Sequence, residues 1–309
     1  MFVSSSTRLF PPAYAPLAAF SAPARAKAEL WRVGAALGLM ILAFVILTQV
    51  AQSLLFAASN ALFGPMWTEA ISYLIMATRS PVSVIAVLAG FFPLAIGLAL
   101  AMRALHDRSW TTLFGPALLT RHSFLWVVGG LLVLQVVFLP IQVAAPEVGR
   151  HLTFGQQLPW LVPALLGIVM QSSTEEALFR GYLLQQLAVR NPSPLIWMVL
   201  PALMFAALHL DPGAGAADML WSGGAAFLFS LVAADLTART GSLGPAIGLH
   251  AASNIGGILM VGLYGRMDGL AAWNLVLDPM QPWAALPYMG VDLVGLLVSW
   301  LLARLILRV

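Results

Sequence analysis

Val33 to Ala57 reads VGAALGLMILAFVILTQVAQSLLFA, and no charged residue occurs from Val33 to Thr68. A helix rises 1.5 Å per residue, so about 20 apolar residues cross the hydrocarbon of a bilayer. The stretch is long enough to span, and the rest of the 309-residue chain repeats its character. Hydrophobic residues make up 61% of the sequence and charged residues 9%, against about 45–50% and about 25% in soluble domains. Too few charges remain to coat a water-soluble globule, so the surplus apolar surface faces lipid. The expected fold is all-α: a polytopic membrane protein, a bundle of about eight transmembrane helices.

The spans read as Val33–Ala57, Pro81–Leu105, Phe124–Ala145, Pro159–Arg190 with polar interruptions, Pro194–His209, Met219–Ala238, Ser242–Leu263 and Ala285–Arg308. The short apolar stretch Thr68–Thr78 is expected at the interface. Residues 1–30 carry Pro11, Pro12, Pro16 and Pro23, followed by Arg25 and Lys27. The prolines break the one apolar run that resembles a signal-peptide core, so this segment is expected to be a disordered cytoplasmic tail. Residues 31–309 then form a single transmembrane helical domain.

An even number of spans puts both termini on one side. Arg8, Arg25, Lys27, Arg32, Arg103, Arg108, Arg121, Arg190, Arg239, Arg304 and Arg308 share that side, against Arg79, Arg150 and Arg266 on the other. Basic loops stay inside, so both termini are expected in the cytoplasm of a multi-pass cell-membrane protein. Arginine in place of lysine and abundant alanine point to GC-rich bacterial coding, hence to a bacterial plasma or inner membrane. The lipid bilayer is the first expected partner. The net charge of +3 is small and scattered, which gives a nucleic-acid partner no support. The absence of cysteine removes disulfides, thiolate metal sites and Cys nucleophiles.

Polar groups inside a span cost a few kcal/mol each on insertion scales and need a reason. Three clusters stand out between residues 159 and 263. In Glu175-Glu176-Ala177-Leu178-Phe179-Arg180, Glu176 and Arg180 are four apart with the acid toward the N-terminus, the favoured order for an ion pair. Glu175 lies about 100° round the helix and stays free for chemistry. Phe205 and His209 share a face, as do His250 and Asn254, the latter pair among Gly244, Gly248, Ala252, Gly256 and Gly257. Such small residues let helices approach closely. The fourth and fifth spans turn at Asn191-Pro192-Ser193-Pro194. Glu175 and His209 are then level, each about 23 Å from the turn, and His250 lies at comparable depth. Taken singly, each cluster also reads as a structural ion pair, an interfacial histidine or inter-helix hydrogen-bond glue. Asp235 and Asp292 read as end-of-span or inter-helix polar groups.

The ordered motifs E-E-x-x-x-R, F-x-x-x-H and H-x-x-x-N resemble those of the CPBP family, also called Abi. These are CAAX prenyl endopeptidases and bacterial relatives linked to bacteriocin processing and self-immunity. The resemblance implies a bundle of eight transmembrane helices and an intramembrane endopeptidase acting on peptide or membrane-protein substrates. It implies Glu175 as the catalytic acid partnered by His209, with Glu176, Arg180 and Phe205 in support, and His250 and Asn254 completing the site.

In chemical terms, a carboxylate withdrawn from water makes a better base near neutral pH. Glu175 with His209 would activate a water, and His250 and Asn254 would stabilise the oxyanion. Ser172 and Ser173 lie close by, but a covalent role needs a base aimed at one of them. No metal is favoured. In a metal-dependent alternative, Glu175, His209 and His250 would hold zinc with an open position for water. Two other readings use the same cluster: a proton- or ion-coupled transporter, and a non-catalytic immunity or scaffold protein.

Overall fold

The computed structural model describes residues 10–76, 79–210, 215–278 and 285–309. Its helices are α1 (Leu17–Ser21), α2 (Leu30–Phe63), α3 (Pro65–Met76), α4 (Pro81–Ala89), α5 (Phe91–His106), α6 (Ala117–Val143), α7 (Phe154–Gln157), α8 (Leu161–Glu176), α9 (Leu184–Ala188), α10 (Leu200–Ala207), α11 (Ala216–Thr240), α12 (Gly244–Ile255) and α13 (Leu286–Leu307). The protein is an all-α membrane protein, as its composition requires. Among the described residues, five helical stretches are long and apolar enough to cross a membrane: Leu30–Phe63, Pro81–His106, Ala117–Val143, Met219–Thr240 and Leu286–Leu307.

The other three expected spans are also helical, but differently built. The fourth runs through α8, a π-helical stretch Ala177–Leu183 and α9. The fifth combines a π-helical stretch Leu195–Val199 with α10. The seventh is α12 continued by a third π-helical stretch, Gly256–Met260. The fifth is apolar but short, whereas the fourth and seventh hold polar clusters. The fourth and seventh also turn much of their surface toward other helices rather than toward lipid: Ala177–Ala188 is buried throughout, as is Gly244–Ala252. π-Helical turns inside α-helices are rare and concentrate at functional sites.

Helix α12 packs against α6, α8 and α11. Its approach to α6 depends on two glycines. A Cβ at Gly244 would stand 2.2 Å from the Thr120 carbonyl oxygen and from Ser123 Oγ, and one at Gly248 would meet the Phe124 carbonyl oxygen at 3.0 Å. The small-residue face read from the sequence therefore sets the depth at which α12 presents His250.

The outer segments bring in a feature absent from the sequence reading. Three strands, β1 (Val148–Arg150), β2 (Val261–Leu263) and β3 (Trp273–Leu275), form a sheet in the order β1-β3-β2. Arg150 pairs with Trp273 in the antiparallel ladder, and Val261 with Trp273 in the parallel one. Gln157 Nε2, at the end of α7, donates to the carbonyls of Leu259 and Leu270, tying α7 to the end of the seventh span and to the 3₁₀ turn Asp268–Leu270. Strands of three residues, the first over a hundred residues from the other two, leave too little alternation to register as strands.

The expected disordered tail is corrected by the structure from Phe10 onward. Pro12 and Pro23 stand at the starts of short 3₁₀ turns, where the missing N–H costs nothing. Phe10, Leu17, Phe20 and Ala24 are buried in the main core. The Phe10 and Tyr14 rings meet the buried Trp197 edge-on, 6.2 and 5.5 Å away. Tyr14 Oη donates to Asp235 Oδ1 at 2.8 Å. Burial, aided by that bond, pushes the Tyr14 hydroxyl up to about 12. Asp235 also accepts from Arg239 Nε and Trp300 Nε1, so it joins the N-terminal segment, α11 and α13, as an inter-helix polar group should. The prolines end each helix after a turn or two, but the aromatic residues between them still find a core to enter.

Candidate active site

Glu175 and Glu176 occupy the last turn of α8, and Arg180 lies in the π-helical stretch that follows. Arg180 Nη1 donates to Glu176 Oε1 at 2.9 Å, with the two side chains 1% and 0% exposed. The expected i,i+4 pair is present, and it is sealed from solvent. Three rings line its cationic end: Phe205, Phe229 and Phe179 lie 4.6, 5.6 and 6.0 Å from the guanidinium carbon. A desolvated cation over aromatic faces gains about 2 kcal/mol or more, which offsets part of the burial of Arg180 Nε and Nη2, both without hydrogen-bond partners among the described residues.

His250, buried on α12, stands between the two acids. Its Nδ1 lies 2.8 Å from Glu176 Oε1 and its Nε2 3.6 Å from Glu175 Oε2. Glu176, already held by Arg180, accepts the Nδ1–H of His250 and so fixes the ring's orientation, leaving Nε2 to face Glu175. Glu175 Oε2 is itself buried and has no hydrogen-bond partner among the described residues. A chain Arg180–Glu176–His250–Glu175 results, with two anions and one permanent cation.

The second motif joins this chain through its phenylalanine. The Phe205 ring lies 5.0 Å from Phe179, 4.4 Å from His209 and 6.3 Å from His250. His209 is exposed, and its Nδ1 is 2.8 Å from the Phe205 carbonyl oxygen. That bond makes Nδ1 the donor and Nε2 the ring nitrogen able to accept. No hydrogen bond joins His209 to Glu175 among the described residues; His250 is the histidine next to Glu175. Asn254, one turn beyond His250, donates from Nδ2 to Gln171 Oε1 at 2.6 Å.

Two residues of this assembly escaped the sequence reading. Gln171 lies one turn before Glu175 on the same face of α8, and that i,i+4 spacing was a usable signal. Phe229 of α11 meets the His250 ring at 4.9 Å. Nothing in its apolar surroundings distinguished it from a lipid-facing residue.

A second polar cluster anchors the helix that carries the acids. Tyr182 Oη and His106 Nε2 are 2.9 Å apart, and Arg108 Nη2 donates to Gln185 Oε1 at 2.7 Å. Burial pushes the Arg108 guanidinium down to about 10. Asp292, set aside as an end-of-span group, lies on α13, away from this assembly.

Catalytic zinc takes three protein ligands and keeps an open position. Among the described residues, no three His, Asp or Glu side chains gather in a group able to hold a metal ion. Glu175 and His250 approach each other, but His209 turns Nδ1 to its own helix and stands exposed.

Fold and site together define a helical membrane protein with a glutamate–histidine centre buried among its helices. Residues 157–256 match the family model described as Type II CAAX prenyl endopeptidase Rce1-like, in agreement with the CPBP resemblance carried by the motifs. The chain is 28% identical over 163 residues to the uncharacterized protein YyaK of Bacillus subtilis (strain 168). That alignment takes in 52% of this chain and 54% of its relative, so the chain spans about half the length of the relative it matches. No solved structure matches the chain.

Proposed function

We propose that the protein is an intramembrane endopeptidase that hydrolyses peptide bonds of membrane-associated or peptide substrates without a metal. The observation that carries this reading is the buried chain ending at Glu175, whose Oε2 makes no hydrogen bond among the described residues and lies 3.6 Å from His250 Nε2. An acid held in this way has no structural bond to satisfy and faces a histidine that can exchange a proton with it. The family match over residues 157–256 supports the same reading.

In the proposed reaction Glu175 removes a proton from water as the water oxygen attacks the scissile carbonyl. His209, whose Nδ1 is held by the Phe205 carbonyl, orients that water through Nε2. Asn254 and His250 stabilise the negative charge that forms on the carbonyl oxygen, each such donor contributing about 3–4 kcal/mol to barrier lowering. Collapse of the tetrahedral species breaks the C–N bond, and the proton held by Glu175 passes to the leaving nitrogen. The water hydroxyl stays on the new carboxyl group, so atoms and charge balance. The basic-residue count supports a cell-membrane protein with both termini in the cytoplasm.

The test is cleavage of membrane-protein and peptide libraries by the purified protein, read by mass spectrometry of new chain ends, with Glu175→Gln as control. Chelation should leave cleavage intact, and elemental analysis should find no stoichiometric zinc. Asn254→Ala should lower turnover by about 10²–10³-fold with little change in substrate affinity, because such donors act chiefly in the transition state. Zinc at one per chain, lost in His250→Ala but kept in Asn254→Ala, would replace this mechanism with a metal-dependent one.

A further inference from the structure

Two polar side chains of α12, His250 and Asn254, are each gripped by a residue of α8. Glu176 holds His250, and Gln171 holds Asn254. Gln171 is 8% exposed, and its Oε1 accepts from Ser172 Oγ at 3.2 Å as well as from Asn254 Nδ2 at 2.6 Å. Both are donors, so the oxygen of the Gln171 amide is the atom that faces them.

A primary amide nitrogen carries two N–H groups in one plane. The χ2 torsion of Asn is broad, so its own rotamer preference does not aim that plane. Once one Nδ2–H is committed to Gln171, the direction of the other is fixed.

We infer that Gln171 is a positioning residue for the oxyanion donor: it fixes the Asn254 amide with one N–H on itself and the other directed at the carbonyl oxygen of the substrate. This rests on the endopeptidase reading. Donors accelerate a reaction most when they are oriented before charge develops and need no reorganisation during the step. Gln171 supplies that orientation to Asn254 without touching the substrate.

The experiment is a double-mutant cycle on the full-length protein, with thermal melting to verify folding. Gln171→Met keeps the unbranched shape and removes the acceptor. It should lower kcat by about 10- to 100-fold with KM within about twofold. In the Asn254→Ala background the same change should have no further effect, because the donor it positions is gone. Equal losses in both backgrounds, or wild-type kcat in Gln171→Met, would overturn the inference. Gln171→Ala removes the same acceptor and takes the place of Gln171→Met if that variant does not fold. If wild type cleaves, Glu175→Gln does not, and Asn254→Ala is fully active, the positioning role fails while the endopeptidase reading stands. Absence of cleavage by wild type itself removes the reading beneath both.

Discussion

Glu175→Gln is expected to lower proteolysis by at least about 10²–10⁴-fold, the usual contribution of a general acid–base group, while the protein stays folded. The substitution keeps the shape of the side chain and removes its ability to take a proton. Stability should be unaffected because Glu175 Oε2 makes no hydrogen bond among the described residues and the side chain is 13% exposed. The neutral amide also removes the cost of holding a second acid beside Glu176. The measurement is turnover against melting temperature in detergent. Full activity in the variant would remove Glu175 from the chemistry. Lost activity with a lowered melting temperature would make it a structural acid.

Arg180→Ala should have the largest effect on stability, about 3–5 kcal/mol, the cost of leaving one member of a buried pair uncompensated. Glu176 is fully buried, and without the arginine its remaining partner is His250. The space between Phe179, Phe205 and Phe229 would also lose its cation. Removing both charges separates the two roles of the pair. Replacing Arg180 and Glu176 together with Met and Leu should recover most of the stability, since buried ion pairs are often no better than apolar side chains of similar volume. Activity should not return, because Glu176 also orients His250. A stable, active double variant would show that His250 needs no anchor, and an Arg180→Ala protein with normal yield and melting temperature would show that the pair does not hold the fold.

Much of the architecture was legible in the chain because its signals are local. An uncharged run such as Val33–Ala57 is a statement about hydration that needs no tertiary information, and the Glu176–Arg180 pair follows from helix geometry alone. The face shared by His250 and Asn254 and the small residues beside it were readable for the same reason. The N-terminal segment was misread because proline forecasts where a helix stops, whereas the burial of Phe10, Leu17 and Phe20 depends on a surface supplied by residues far along the chain, Trp197 among them. The little sheet failed to register because its three strands are too short to show alternation.

The site divides along the same line. By itself the sequence determined a helical membrane protein, the acid with its arginine, and two motifs that place a histidine and an asparagine on one helix face. Only the tertiary structure decided which histidine meets Glu175. Periodicity gives a side chain's angle about its own axis and its height along it, but not the neighbour that the axis approaches. Gly244 and Gly248 let α12 close on α6, and α12 also packs against α8. His250 therefore lies between Glu175 and Glu176, while His209 bonds to its own helix.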